Sequence, residues 1–337
     1  MEDNVKNNRI CELLSIKYPV LQAPMSWITD AGLAASVSNA GGLGIIGPNS
    51  GAQSVTTDVT ETGERLRSEI KKAKSLTDKP FGVNILSYEG DRFQFSDQCV
   101  KVILEEGIAV AAICGDYPEK YAKQLKDAGI KQIFRALPSN NVEVAKRAEQ
   151  AGMEAFIAAG LEGGGHIGLD RITTFVLIPQ VVDAIRIPVI AGGGIVDGRG
   201  MVAAIALGAE GIYLGTRFIA TKECPAHSTY KQAILDAIDT SSVTFTSMVG
   251  LCRALKTPPV EHFVQMELNG TATEEEMVML HRHETRPWLE GDWSTTVFPV
   301  GACAGMIKEI KSASEVVNSI VKEADEIMKN MCIQDFG

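Results

Sequence analysis

Ile187-Pro188-Val189-Ile190-Ala191-Gly192-Gly193-Gly194-Ile195, followed by Asp197-Gly198 and an apolar, helix-like run from Met201 to Leu207, is the stretch on which the fold turns. An apolar run without polar alternation reads as a strand buried on both faces, the mark of a parallel sheet. The glycines after it mark the hand-over from strand to loop and then to helix. That order recurs along the chain, with candidate strands at 18–25, 43–47, 81–86, 108–114, 132–137, 154–159, 188–191 and 211–214. Between them apolar residues recur at spacings of three and four, as in Leu33, Ala34, Val37 and Ala40, or Val142, Val144, Ala145 and Ala148, which suits helices packed on a sheet. Eight strands alternating with helices favour an α/β fold closed into a (β/α)8 TIM barrel. An open doubly wound sheet is the alternative, because periodicity does not show closure.

The rhythm stops after Ile234. The segment 241–299 holds His281, His283, Trp288 and Trp293 without a strand pattern and reads as a helical lid or cap. An amphipathic helix at 313–328 then closes the chain. The expected organisation is one barrel, built from 1–240 and 300–337, with the lid at 241–299 inserted near its C-terminal end.

Composition narrows the functional classes. In 337 residues, 42 acidic against 32 basic side chains leave a net charge of −10, which disfavours nucleic acid as a partner. No apolar run approaches the roughly 18 residues that cross a bilayer, and the polar N-terminus does not read as a signal peptide. A cytoplasmic protein without membrane partners is expected. The seven cysteines are scattered and never in C-x-x-C spacing, so neither a disulfide framework nor a zinc site is expected. His281 and His283, two apart beside Glu284, are poorly spaced for a metal, and no metal site is expected.

The glycine loops carry the chemistry. Gly192, Gly193 and Gly194 let backbone N–H groups approach a phosphate at the mouth of the seventh strand, where the next helix adds favourable partial charge. The eighth strand ends in Gly215-Thr216, a second glycine beside a hydroxyl donor. Loops after strands seven and eight are the usual phosphate grip of such a barrel. No strand-linked G-x-G-x-x-G with a following acidic residue points to a Rossmann site. A third cluster, GLEGGGHIG at 160–168, follows strand six and holds His166. Its glycines, Gly164 and Gly165 among them, can bring backbone against a flat ligand, while the imidazole can take or give a substrate proton near neutral pH. Strand one ends in Ala23-Pro24-Met25, a corner that can support an aromatic ring, and strand three places the Asn84 amide at the mouth. A phosphate grip, a polar amide and a ring platform together fit a mononucleotide-sized cofactor, for which flavin mononucleotide (FMN) is the economical choice.

Six motifs occur in order: QAPM (22–25), AGGLGIIG (40–47), KPFGVNI (79–85), GLEGGGHIG (160–168), IPVIAGGGIVDG (187–198) and LGAEGIYLGTRF (207–218). Together they resemble the nitronate monooxygenase family, which includes the FMN-dependent enoyl-acyl-carrier-protein reductases of type II. The resemblance implies a TIM barrel with non-covalent FMN, His166 as catalytic base or proton donor, and Pro24, Met25, Asn84, Gly193, Gly194, Gly215 and Thr216 around the flavin. Both branches commonly carry A-G-Q-x-x-G near the C-terminus, whereas the corresponding stretch here is Val300-Gly301-Ala302-Cys303-Ala304-Gly305, so Ala302 supplies no amide.

Oxidation of alkyl nitronates with O2 is the first expectation. The alternatives are an NAD(P)H-dependent enoyl reductase acting on enoyl thioesters, an NADH:quinone reductase on the same scaffold, and a non-catalytic flavin-binding protein. Each enzyme reading implies a small-molecule substrate and is compatible with a homodimer. The non-catalytic reading leaves His166 without a task.

Overall fold

A computed structural model describes residues 8–88, 93–282, 287–295 and 297–331. Its strands in chain order begin with β1 (Val20–Gln22), β2 (Ile45–Ile46), β3 (Gly82–Ser87), β4 (Val110–Gly115), β5 (Lys131–Ala136) and β6 (Ala155–Ala159). They continue with β7 (Gly165–Ile167), β8 (Val189–Gly192) and β9 (Gly211–Leu214). All but β7 belong to one eight-stranded parallel sheet of order β1-β9-β8-β6-β5-β4-β3-β2. A parallel bridge from Leu21 to Leu43 joins its two ends. The sheet therefore closes into a (β/α)8 barrel, which rules out the open doubly wound alternative.

Alternation along the strands sorts the core into two layers. Leu21, Ile45, Val110, Ala112, Ile133, Ala155, Ile157 and Ile190 pack with one another inside the barrel. Their sequence neighbours, Val20, Ile46, Ala111, Phe134, Phe156, Ala191 and Ile212, pack outward against the helices. Both sets are almost fully buried, which is why these strands read as continuous apolar runs. The N-terminal helix Arg9–Leu14 adds Ile10 and Leu14 to the inner layer. Asn8, its N-cap, also donates through Nδ2 to the Glu210 carbonyl at 2.8 Å, just before β9 begins. The N-terminal ends of the strands are thus plugged, and the open mouth lies at the other end.

Beyond β9 the chain forms an antiparallel hairpin, β10 (Ser242–Ser247) and β11 (Gly250–Leu255), and β11 pairs with β7. Helices Pro258–Leu268 and Glu274–Arg282 follow, with Phe245, Val260, Phe263, Leu280 and Val297 forming a small core of their own. The sequence expectation of a helical segment omitted this hairpin. Its turn at Met248-Val249 lacks the Asn-Gly type of signal that marks two-residue hairpins.

The helix Ala313–Met331 returns to the barrel and seals the apolar side of helix Gly198–Ala206. Only glycine fits at position 198, because a Cβ there would meet the Ala324 backbone nitrogen at 2.4 Å. The Gly198 N–H instead donates to the Glu323 carboxylate at 2.8 Å. Among the described residues, no helix is long and apolar enough to cross a membrane.

Candidate active site

A cavity of about 350 Å³ opens at the C-terminal ends of the barrel strands. Ala23, Pro24 and Met25 line it from the end of β1 and Asn84 from β3. Gly164, Gly165 and His166 come from the β6–β7 region, Gly193 and Gly194 from the end of β8, and Gly215 and Thr216 from the end of β9. Of the residues expected from sequence to surround the cofactor, Gly192 is not among those that line the cavity. It is the last residue of β8 and is not part of the lining; a Cβ there would meet the Ala159 Cβ at 3.3 Å, so its small size serves strand packing.

The β8 end has the makings of an anion cradle. Gly193 and Gly194 take φ of +93° and +75°, in the left-handed region that side chains avoid. Among the described residues, no acceptor takes the N–H of Gly193, Gly194 or Ile195. Ile195 is buried and Gly193 and Gly194 are half-buried, and backbone donors so placed are seldom left unclaimed, so these three are available to a ligand. The loop is held from behind: Thr174 Oγ1 lies 3.1 Å from the Gly193 carbonyl and donates to the Glu162 carboxylate at 2.8 Å. Opposite, the Thr216 hydroxyl accepts from the Gly301 N–H at 2.9 Å, and the Ala302 N–H donates to the Glu162 carbonyl at 2.9 Å. The C-terminal turn is thereby tied to both loops. Gly301 and Cys303 face the cavity, whereas Ala302 is not part of its lining. Burial pushes the Cys303 thiol up to about 11.

The loop after β6 packs tightly, since a Cβ on Gly164 would meet the Val300 carbonyl carbon at 2.4 Å. That close approach delivers His166 to the rim on β7, directly opposite Cys252 of β11. Asn84 is nearly buried and donates from Nδ2 to the Ala112 carbonyl at 2.8 Å, which fixes its amide plane.

Several lining residues escaped the sequence reading. Arg135 on β5 is the main one. Its guanidinium donates to the His166 carbonyl at 2.5 Å and lies 3.7 Å from the Cys114 sulfur. Burial works against its charge, yet the neighbouring Cys114, Tyr213 and Tyr88 outweigh that cost and hold it firmly protonated. Burial pushes the Tyr213 phenol up, with the Arg135 charge pulling the other way. A cation inside the strand KQIFRA (131–136), otherwise suited to a barrel, was the available signal. Trp288 and Cys252 reach the cavity from the segment after β9, while Trp293 lies on a separate outer groove. His283 and Glu284 lie outside the described residues, and no cluster of three or more metal-ligating side chains occurs among those described.

The arrangement can hold an anionic group at β8 and β9, a flat polar ring against β1, β3 and β5, and a proton-transfer group at β7. Known proteins resemble this chain along most of its length. The nitronate monooxygenase family model matches residues 7–323. A probable nitronate monooxygenase of Staphylococcus aureus is 35% identical over 301 residues, covering 77% of this chain and 81% of that protein. The solved structure of FabK from Thermotoga maritima superposes with a TM-score of 0.86 at 39% identity, covering 97% of this chain and 98% of that one. A nitroalkane oxidase from Streptomyces ansochromogenes shares the fold, with a TM-score of 0.78 at 24% identity over 96% of this chain and 99% of that one.

Proposed function

The chain belongs to the nitronate monooxygenase family, and from that premise we propose that it is an FMN-dependent oxidoreductase that oxidises alkyl nitronates with O2. One observation carries the reading: a single cavity brings His166 together with the unclaimed N–H groups of Gly193, Gly194 and Ile195. The cradle fits a phosphate, because its positive-φ glycines present backbone rather than side chains, and Thr216 stands across from it. Pro24 and Met25 would support the ring and Asn84 would meet its polar edge. FMN held there would supply the electron-accepting chemistry for nitronate oxidation, with oxygen as the final acceptor.

This chain's own residues do the rest. Arg135 places a fixed positive charge in the cavity wall, which favours an anionic substrate and holds the His166 backbone. His166 takes the carbon-bound proton when the substrate arrives as a neutral nitroalkane, and positions a nitronate that is already ionised. Trp288 and Cys252 give the segment 241–299 a part in the cavity, which supports its role as a lid on a barrel formed by 1–240 and 300–337.

A second reading has its own support. The family that the motifs resemble includes the type II enoyl-acyl-carrier-protein reductases, and the match to FabK from Thermotoga maritima spans 97% of this chain. On that reading NAD(P)H is the reductant, an enoyl thioester the acceptor, and His166 donates the proton beside the thioester carbonyl. Oxygen uptake with propionate-3-nitronate, set against NAD(P)H consumption with crotonyl thioester, decides between them. Oxygen uptake supports the nitronate reading, and thioester-dependent NAD(P)H consumption without it replaces that reading with the reductase.

A further inference from the structure

Residue 252 stands in register with residue 166 across the antiparallel β7–β11 ladder. Directly opposed residues share one face of a sheet, with Cβ atoms about 4.5–5.5 Å apart. Both residues also line the cavity, and Cys252 is fully buried and in no disulfide. We propose that Cys252 is a positioning residue for His166, its thiol fixing the orientation and proton-sharing arrangement of the imidazole from across the ladder. The inference rests on the functional reading in which His166 moves the substrate proton.

The chemistry suits the task. A thiol donates weakly through S–H and accepts weakly through sulfur, so it can face either tautomer of a neutral imidazole, which a valine or alanine cannot do. Other charged or ionisable groups also stand around the ladder. Arg135 on β5 reaches the His166 carbonyl and Cys114, with Tyr88 and Tyr213 acting on its charge. Arg253, the next residue on β11, donates to the Leu161 carbonyl and the Ser242 hydroxyl. Glu162 accepts from Thr174, Tyr230 donates to the Pro299 carbonyl, and Cys303 lies across the cavity in the C-terminal turn. Cys252 also packs with Phe245 and Phe263 in the small core behind the hairpin, so a purely structural role is the competing account.

Two variants of the full-length, flavin-loaded protein separate the accounts. Cys252→Val keeps the apolar packing and suits a strand, whereas Cys252→Ser keeps a donor and acceptor. The first readout needs no substrate: the imidazole ¹⁵N resonances of His166, identified by their loss in His166→Ala, followed through a pH titration. The tautomer balance or midpoint is expected to move in Cys252→Val and to stay near wild type in Cys252→Ser. The second readout is turnover of a neutral nitroalkane, or of the enoyl thioester on the reductase reading. Here kcat is expected to fall about tenfold in Cys252→Val, as loss of one ordering hydrogen bond would give, with KM and flavin content unchanged and recovery in Cys252→Ser. A His166 titration that coincides in wild type and Cys252→Val overturns the proposal. Wild-type protein that turns over neither substrate class sinks the functional reading instead, and the titration still judges Cys252.

Discussion

On the proposed reading the chemistry depends on His166 and on the cradle glycines in different ways. His166→Ala should fold and retain FMN, because the glycines that shape its loop remain, but lose about 10²–10⁴ in turnover of a neutral nitroalkane. The loss should be clearly smaller for the preformed nitronate, from which no carbon proton has to be removed. Oxygen uptake with the two forms measures the contrast, and equal losses would make His166 a binding residue only. Gly194→Val acts on the cofactor instead. Position 194 has φ of +75°, and an added Cβ would stand 3.3 Å from the Glu162 Cβ. Strain of about 1–3 kcal/mol and a blocked phosphate approach should strip flavin from the purified protein, read as the ratio of visible to protein absorbance.

At the level of elements, the eight barrel strands were legible because burial on both faces leaves apolar runs, and glycine marks the hand-over to a loop at β2, β4, β6, β8 and β9. Strand limits shifted by a few residues, as at β1, expected over 18–25 and found at Val20–Gln22, since local pattern does not report where pairing stops. β7 and the β10–β11 hairpin were not legible. Three residues inside a glycine-rich loop carry no period, and they form a strand only because β11 supplies the ladder. Arg135 was missed for the opposite reason: a charge in a buried strand reads as an error until its surroundings are known. The proposed lid role of the segment 241–299 is testable through Trp288. Trp288 is buried at the cavity and donates from Nε1 to the Val297 carbonyl at 2.6 Å. Trp288→Leu should raise KM about tenfold at unchanged flavin content, because it trims one wall of the substrate space and leaves the cradle intact. An unchanged KM would remove the lid from substrate handling.

Across the whole molecule, the ends of the described chain perform opposite tasks. Helix Arg9–Leu14 plugs the strand starts, and helix Ala313–Met331 covers the outer side near the loops that form the cradle. Ile320 of that closing helix is 2% exposed. Ile320→Ala should cost about 2–5 kcal/mol of unfolding free energy, measured by urea denaturation, while leaving KM unchanged because the helix stands outside the cavity. On the proposed reading, barrel, cradle and His166 together serve a flavin reduced by a nitronate. The most direct test of that reading is anaerobic mixing of the purified yellow protein with propionate-3-nitronate while visible flavin absorbance is followed. Rapid bleaching without NAD(P)H, reversed on admitting oxygen, is the predicted result. A colourless protein that takes up no added FMN, or a flavin that nitronate leaves oxidised while NADH or NADPH bleaches it, would contradict the account.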